Sequence, residues 1–172
     1  CGMPGVVSAG ITARESLVIL SGLSGMGKTS AMLQMGLGTA IKIKESNLPG
    51  IVAISELEMR KWKLTRRMAC MLSGVNYKNV EQGRYSRDSK EIAAMLLAGE
   101  FIDTLPIYIN DDNSQTSASL IFAADALALQ HGALWYLGSD YLELFKDVNN
   151  SEELRVATIG RNHHAISRRT GA

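Results

Sequence analysis

Residues 22–29 read Gly-Leu-Ser-Gly-Met-Gly-Lys-Thr, which matches the pattern Gly-x-x-x-x-Gly-Lys-[Ser/Thr] in full. In such a loop the glycines let the backbone curl, so that successive N–H groups point at phosphate oxygens. Lys28 can then reach the terminal phosphates of a nucleotide, and the Thr29 hydroxyl can ligate Mg²⁺. The motif therefore predicts a binding site for a nucleoside triphosphate and its magnesium ion.

The sequence around the motif provides the local structure that such a loop requires. An apolar run at 17–20 is typical of a β-strand, and helical spacing begins at Lys28 and continues to about residue 41. The dipole of a helix that starts here favours an anion, so a chance glycine-rich turn is the weaker interpretation. We predict that the nucleotide contacts Gly22, Leu23, Ser24, Gly25, Met26, Gly27, Lys28, Thr29 and Ser30.

A magnesium–nucleotide site also needs carboxylates, one to hold the ion and one to orient the attacking water. The apolar run at 133–137 leads to Asp140, and the run at 51–54 leads to Glu56 and Glu58. Because ligands bind at the carboxyl edge of an open parallel sheet, we predict Asp140 as the magnesium carboxylate. Only one of Glu56 and Glu58 need face the nucleotide. Asp140 could instead cap a turn, and Glu56 and Glu58 could instead be acids favoured by the dipole at a helix N-terminus.

Apolar runs without polar alternation are separated by segments of helical spacing along the chain. We predict an irregular entry segment at 1–16, strands at 17–20, 51–54, 106–110 and 133–137, and helices at 28–41, 58–72, 88–102, 117–130 and 151–169. This order is typical of a parallel sheet that is covered by helices on both faces and joined by right-handed crossovers. The predicted fold class is α/β.

Composition sets further bounds on the class of protein. With 172 residues, 46% of them apolar and 20% charged, the chain can bury the core of one domain. The net charge is +1, but residues 1–86 carry +6 and residues 87–172 carry −5, which is compatible with a basic face toward an anionic ligand. Two cysteines exclude a disulfide framework. Because no apolar run suggests a membrane span or a signal peptide, we expect a cytoplasmic protein.

Three motifs resemble, in order and spacing, the RecA-like ATPase domain of DnaB-type replicative helicases. The family reads S-M-G-K-T, S-L-E-M and D-Y-L-Q-L where this chain has residues 25–29, 56–59 and 140–144. The segments between the motifs are similar as well, so the resemblance covers nearly the whole chain. It implies a RecA-like phosphate-loop NTPase core with a mostly parallel sheet.

The resemblance also implies roles for individual residues and for partners. Lys28 and Thr29 would bind the phosphates and Mg²⁺, Glu58 would be the catalytic base, and Asp140 would be the partner of the Mg²⁺ ion. The implied cofactors are ATP and Mg²⁺. The implied activity is ATP-driven movement along single-stranded DNA during replication by a homo-hexamer, with primase or a helicase loader as candidate partners.

The sequence departs from the family's pattern at several positions: Leu23-Ser24 replace Arg-Pro, Glu56 replaces Ser, Glu143 replaces Gln, and His163-His164 replace Leu-Lys. The extra acid at Glu56 leaves open which acid is the base. The family continues beyond this chain's last residue into a fifth strand, DNA-contacting loops and an arginine finger. We therefore expect residues 1–172 to be a single partial RecA-like domain.

Weaker signals have plainer interpretations. Basic residues surround Trp62 at Arg60, Lys61, Lys63, Arg66 and Arg67. They could contact DNA phosphates, but we favour a solvated helix face. His163 and His164 lack a third metal ligand at matching spacing and are predicted to be surface residues. We interpret Asp111 and Asp112 as loop caps, and Tyr141 as packing beside the sheet.

Other functions remain open from the residues alone. One is a RecA-like ATPase of the RadA or circadian-clock type. A second is a small-molecule kinase, which has a similar loop but needs an Arg-bearing lid that we do not find at 111–130. A third is a module that binds nucleotide without turnover. An ATPase assay with and without single-stranded DNA separates these functions.

Overall fold

A three-stranded parallel sheet lies at the centre of the computed structural model, which describes residues 15–84, 90–149 and 151–172. The strands are β1 (Ile51–Glu56), β2 (Ile107–Asn110) and β3 (Leu134–Asp140), and the helices are α1 (Lys28–Glu45), α2 (Lys61–Ser73), α3 (Tyr77–Glu81), α4 (Lys90–Asp103), α5 (Ser117–His131) and α6 (Glu152–Thr170). A 3₁₀ turn at Leu142–Leu144 follows β3. None of these described helices has the length and apolarity needed to cross a membrane.

The strand order is β2-β1-β3, so β1 is the middle strand and all six of its residues are buried. In the register, Val52 pairs with Ile107 of β2, and Glu56 pairs with Asp140 of β3. A middle strand that is covered on both faces requires an unbroken apolar run, which is what the sequence has there. The predicted α/β fold with a parallel sheet is confirmed.

Helices cover both faces of the sheet and make two separate hydrophobic cores. On one face, residues of α1, α2 and α4, among them Leu33 and Met68, pack on Val52 and Ile54 of β1. On the other face, residues of α5 and α6 pack on Ile51 and Ala53. Alternate residues of β1 thus enter opposite cores, as the two-residue period of a strand requires.

Helix α1 lies very close to β3, and a glycine makes this approach possible. A Cβ atom built on Gly138 would lie 2.8 Å from Cγ of Met32, closer than real side chains approach. Two residues earlier in β3, the Tyr136 hydroxyl donates a hydrogen bond of 3.0 Å to the carbonyl oxygen of Met32. These contacts hold the first turns of α1 against the strand that ends at Asp140.

The structure corrects several predicted elements. The strand predicted at 17–20 is wrong, because these residues pair with no strand of the sheet and are 39–64% exposed. A short apolar run joins a sheet only where a neighbouring strand pairs with its backbone N–H and C=O groups. Sequence periodicity missed α3, which has only five residues. The predicted segment at 1–14 and the predicted helix residues 88 and 89 lie outside the described residues.

Two helix boundaries differ from the predicted ones by three residues or more. Helix α1 continues to Glu45, four residues beyond the predicted end. Helix α2 begins at Lys61 rather than at Glu58, because the side chain of Asp111 accepts a hydrogen bond of 2.8 Å from the Lys61 N–H. This side chain satisfies an amide of the first helical turn. Asp111 therefore caps the start of α2 rather than its own loop, and Glu58 lies in the loop between β1 and α2. The predicted loop cap is confirmed for Asp112, whose Oδ1 accepts hydrogen bonds of 2.9 and 2.8 Å from the N–H and hydroxyl of Ser114.

Candidate nucleotide and magnesium site

The loop before α1 contains two glycines with a left-handed backbone conformation. Gly25 and Gly27 have φ angles of +80° and +87°, a left-handed region that side chains disfavour. Added Cβ atoms would meet nothing within 4 Å at either glycine, so the backbone conformation and not the available space calls for glycine. Residues 21–27 are exposed, and Gly27 gives the N-terminus of α1 no side-chain cap. The turn at the N-terminus of α1 is therefore accessible from solvent.

Lys28 is folded back over the loop. Its Nζ donates hydrogen bonds to the carbonyl oxygens of Gly22, at 2.7 Å, and Leu23, at 3.1 Å. The same ammonium group lies 5.8 Å from the centre of the Tyr141 ring, in cation–π range. The positive charge is thus held between the phosphate loop and the residue that follows Asp140.

Thr29 and Asp140 are joined directly, although they are 111 positions apart in the chain. The Thr29 hydroxyl, in the first turn of α1, donates a hydrogen bond to Oδ2 of Asp140 at the end of β3. Asp140 is buried, with 8% of its surface exposed. A hydroxyl and a carboxylate are oxygen donors of the kind that Mg²⁺ prefers, so this pair fits the ion.

Glu56 is fully buried at the end of β1, beside Asp140 in the sheet. Its Oε1 accepts hydrogen bonds of 3.1 Å from the backbone N–H groups of both Glu58 and Met59. Its Oε2 has no hydrogen-bond partner among the described residues. Burial raises the pKa of Glu56 from 4.5 to about 7; the charge of Asp140 adds to this, and the two backbone hydrogen bonds oppose it.

Glu58 is exposed on the loop that leaves β1. The negative charge of Glu58 is the main cause that raises the pKa of Tyr141, and the charges of Asp140 and Glu56 contribute. Tyr141, interpreted from the sequence as a packing residue, is therefore a half-buried neighbour of the acids and of Lys28. The sequence signals for this position are that Tyr141 directly follows Asp140 and that it matches the tyrosine of the D-Y-L-Q-L motif.

The prediction that both histidines lie on the surface is wrong for His163. Its imidazole is buried, with Nδ1 2.8 Å from the carbonyl oxygen of Ile159 and Nε2 3.0 Å from Oγ of Ser139. The ring also packs edge-on against Phe145. Because burial disfavours the charged form, the pKa of His163 is lowered. His164 is exposed, as predicted.

The basic segment around Trp62 forms a partly exposed surface of α2. The Arg66 guanidinium lies 5.0 Å from the Trp62 ring centre and 5.4 Å from that of Tyr77, and Arg67 lies 4.8 Å from Tyr77. Trp62 is 56% exposed. The predicted solvated face is confirmed for Arg60, Lys61 and Trp62. Lys63, Arg66 and Arg67 are half-buried and lie against the aromatic rings.

A glycine-rich loop ahead of a helix, with its threonine bonded to the terminal aspartate of a parallel strand, is typical of the phosphate-loop NTPase class. Residues 7–171 match the model of the DnaB-like helicase C terminal domain, and the chain belongs to this family. The resemblance that the motifs predicted is confirmed.

The chain is also similar to curated proteins named as replicative DNA helicases. The chain is 29% identical over 158 residues to the replicative DNA helicase DnaC of Bacillus subtilis, covering 90% of this chain and 33% of that protein. It is 30% identical over 148 residues to the replicative DNA helicase DnaB of Rickettsia bellii, covering 80% of this chain and 28% of that protein. The chain thus spans about a third of the length of these relatives.

Two solved structures have the same fold. One, described as an ATPase domain, superimposes with a TM-score of 0.74 at 19% identity, over 87% of this chain and 51% of that one. A DnaB-like replicative helicase described with its primase interactions gives a TM-score of 0.71 at 19% identity, over 87% of this chain and 35% of that one. At this identity the likeness concerns the fold alone.

Proposed function

We propose that this chain binds ATP with Mg²⁺ through residues 22–30 and hydrolyses it, as the motor domain of a replicative DNA helicase. The observation that carries the proposal is the hydrogen bond from Thr29 to Asp140. It brings two oxygen ligands together beside a phosphate loop, in a chain of the DnaB-like family. ATP and Mg²⁺ are the ligands that this arrangement suits best.

Binding of the triphosphate is assigned to the loop and to Lys28. The amides of the loop and of the first turn of α1 would donate to the phosphate oxygens. The Lys28 ammonium group would exchange its bonds to the carbonyl oxygens of Gly22 and Leu23 for bonds to the terminal phosphates. Since a phosphate oxygen carries charge and a carbonyl oxygen does not, the exchange is favourable.

Thr29 and Asp140 would hold the magnesium ion, with the threonine hydroxyl turning its lone pairs outward. When bound, the ion neutralises charge on the phosphates. Glu58 is proposed to orient the attacking water, which is supported by its exposure and by its place beside Tyr141. Glu56 suits this role less well, since it is buried and already accepts two backbone hydrogen bonds.

The whole-protein activity proposed here is translocation on single-stranded DNA by a homo-hexamer, with primase or a helicase loader as further partners. Membership of the DnaB-like family supports the helicase function. One structural neighbour is described together with its primase interactions, which supports primase as a partner class.

Steady-state turnover of ATP, measured with and without single-stranded DNA, tests the proposal. Turnover that DNA stimulates supports the motor function. Binding without turnover in either condition would identify a nucleotide-binding module, and phosphate transfer to a metabolite without DNA would identify a kinase. Glu100→Gln, a change of an exposed acid on α4, is a suitable control for nonspecific effects of charge.

A further inference from the structure

The segment that connects β1 to α2 carries Glu58, and it is held to the sheet at two points. The N–H of Leu57 donates a hydrogen bond of 2.9 Å to the carbonyl oxygen of Asp140. The next two amides, of Glu58 and Met59, both donate to Oε1 of Glu56, at 3.1 Å each. Three consecutive amides of this segment are therefore bonded to the two acids that end β1 and β3.

The Glu56 side chain is able to fix the segment because it is itself immobilised. Glu56 has no exposed surface. Its position in β1 alternates with Val52 and Ile54, so its side chain extends toward the core formed with α1, α2 and α4. A side chain confined in this way loses little further conformational entropy when it accepts hydrogen bonds. Little of the free energy of those bonds is therefore offset by ordering the side chain.

We propose that Glu56 is a positioning residue for Glu58, acting through the hydrogen bonds from the amides of Glu58 and Met59 to its Oε1. The inference rests on the proposed role of Glu58 and deepens it. With Leu57 bonded to Asp140 and Glu58 bonded to Glu56, the water-orienting carboxylate keeps a fixed position relative to the Thr29–Asp140 pair. Glu56 itself does not touch the substrate.

Two variants of Glu56 separate the effect of its hydrogen bonds from the effects of its charge and its volume. Glu56→Gln keeps an acceptor oxygen at the place of Oε1 and removes the charge. Glu56→Met keeps a similar volume and removes the acceptor; it also suits the apolar surroundings, so we expect it to fold. Chemical denaturation of both variants measures their global stability.

The first measurement is hydrogen exchange of single backbone amides by NMR in the 172-residue chain. In Glu56→Met we expect the amides of Glu58 and Met59 to exchange on the order of tenfold faster relative to global opening. The Leu57 amide, which is bonded to Asp140, is the internal control and should keep its rate. In Glu56→Gln all three rates should stay close to those of the unsubstituted chain. Unchanged rates at Glu58 and Met59 in Glu56→Met would overturn the proposal.

The second measurement is the split between kcat and KM for ATP. A misplaced Glu58 should lower kcat in Glu56→Met by on the order of ten- to a hundredfold, with KM within about twofold. Glu56→Gln should recover most of that loss. If Glu56→Gln lowers kcat as far as Glu58→Gln does, Glu56 acts through its charge and the proposal is wrong. Absence of turnover in the unsubstituted chain would count against the proposed function, while the exchange rates would still decide the positioning role.

Discussion

Glu56 and Asp140 are register partners at the carboxyl ends of two neighbouring parallel strands, and both side chains are buried. Asp140 accepts a hydrogen bond from Thr29, whereas Glu56 accepts its hydrogen bonds from the backbone that follows it. Two neighbouring acids at the same sheet edge thus accept hydrogen bonds from different parts of the protein. One faces the phosphate loop, and the other holds the segment that bears Glu58.

The contribution of Glu56 to stability should fall as pH rises from about 4.5 to 7. In this window the folded protein keeps a proton that the unfolded chain releases, since the pKa of Glu56 is raised from 4.5 to about 7 on folding. Full ionisation of Glu56 costs about 3 kcal/mol of unfolding free energy. Urea denaturation across pH should show the stability of Glu56→Gln rising relative to that of the unsubstituted chain between pH 4.5 and 7, with parallel pH dependences below and above this window.

If the difference in unfolding free energy between Glu56→Gln and the unsubstituted chain stays constant from pH 4.5 to 8, folding does not raise the pKa of Glu56. The exposed Glu100→Gln is the matched control, and its difference from the unsubstituted chain should show no such dependence on pH.

Substitution of Glu58 should separate binding from turnover. Glu58→Gln keeps the shape of the side chain but removes the charge that polarises water, so ATP affinity should persist while kcat falls by about 10²–10⁴. Glu56→Gln should change turnover little. The measurement is steady-state ATP hydrolysis beside a nucleotide titration. Equal losses for the two variants would mean that the acids act as a pair, and a loss at Glu56 alone would mean that the base is misassigned.

The sequence was sufficient to predict features whose cause is local. The loop at 22–29 carries its own conformational requirements in its glycines, and Asp140 ends an apolar run, so both were found without a structure. The run at 17–20 has the same local pattern as the true strands, but its side chains are exposed. Whether a short apolar run joins a sheet depends on neighbours that are distant in the chain.

The burial of Glu56 and His163 depends on tertiary packing. Glu56 shares the alternation of Val52 and Ile54, a pattern that points to the core and that the acidic side chain obscures. His163 lies on a stripe of α6 with Ile159 and Ile166, at the helical spacing of buried residues. For His163 the helical periodicity contained the information. Both faces of β1 are buried, so the burial of Glu56 depends on how far the strand extends, which its neighbouring strands decide. In both cases the polarity of the residue argued against burial.

His163 should contribute to stability far more than its exposed neighbour. His163→Ala removes a buried ring and its bonds to Ile159 and Ser139, so we expect a loss of about 2–4 kcal/mol. His164→Ala is the matched control and should stay within about 0.5 kcal/mol. Thermal or urea denaturation at pH 8 measures both. Equal effects would show that the His163 ring is not in the core.

The same histidine should make the protein sensitive to acid. The pKa of His163 is lowered from 6.5 by burial, so below pH 6.5 the unfolded chain takes up a proton that the folded protein refuses. Its contribution to stability is therefore present above pH 6.5 and is lost as the pH falls further. His163→Leu should remove this part of the pH dependence, which a comparison of unfolding free energies at pH 5 and pH 8 would detect.

Titration of the chain with a fluorescent ATP analogue in the presence of Mg²⁺ tests nucleotide binding at the loop most directly. Lys28→Ala removes the ammonium group that is held over the loop by Gly22 and Leu23, while Lys78→Ala changes an exposed lysine elsewhere. We predict that the unsubstituted chain and Lys78→Ala bind the analogue with equal affinity. Lys28→Ala should bind it with much lower affinity or not at all. Undiminished affinity in Lys28→Ala would contradict the assignment of the phosphate loop.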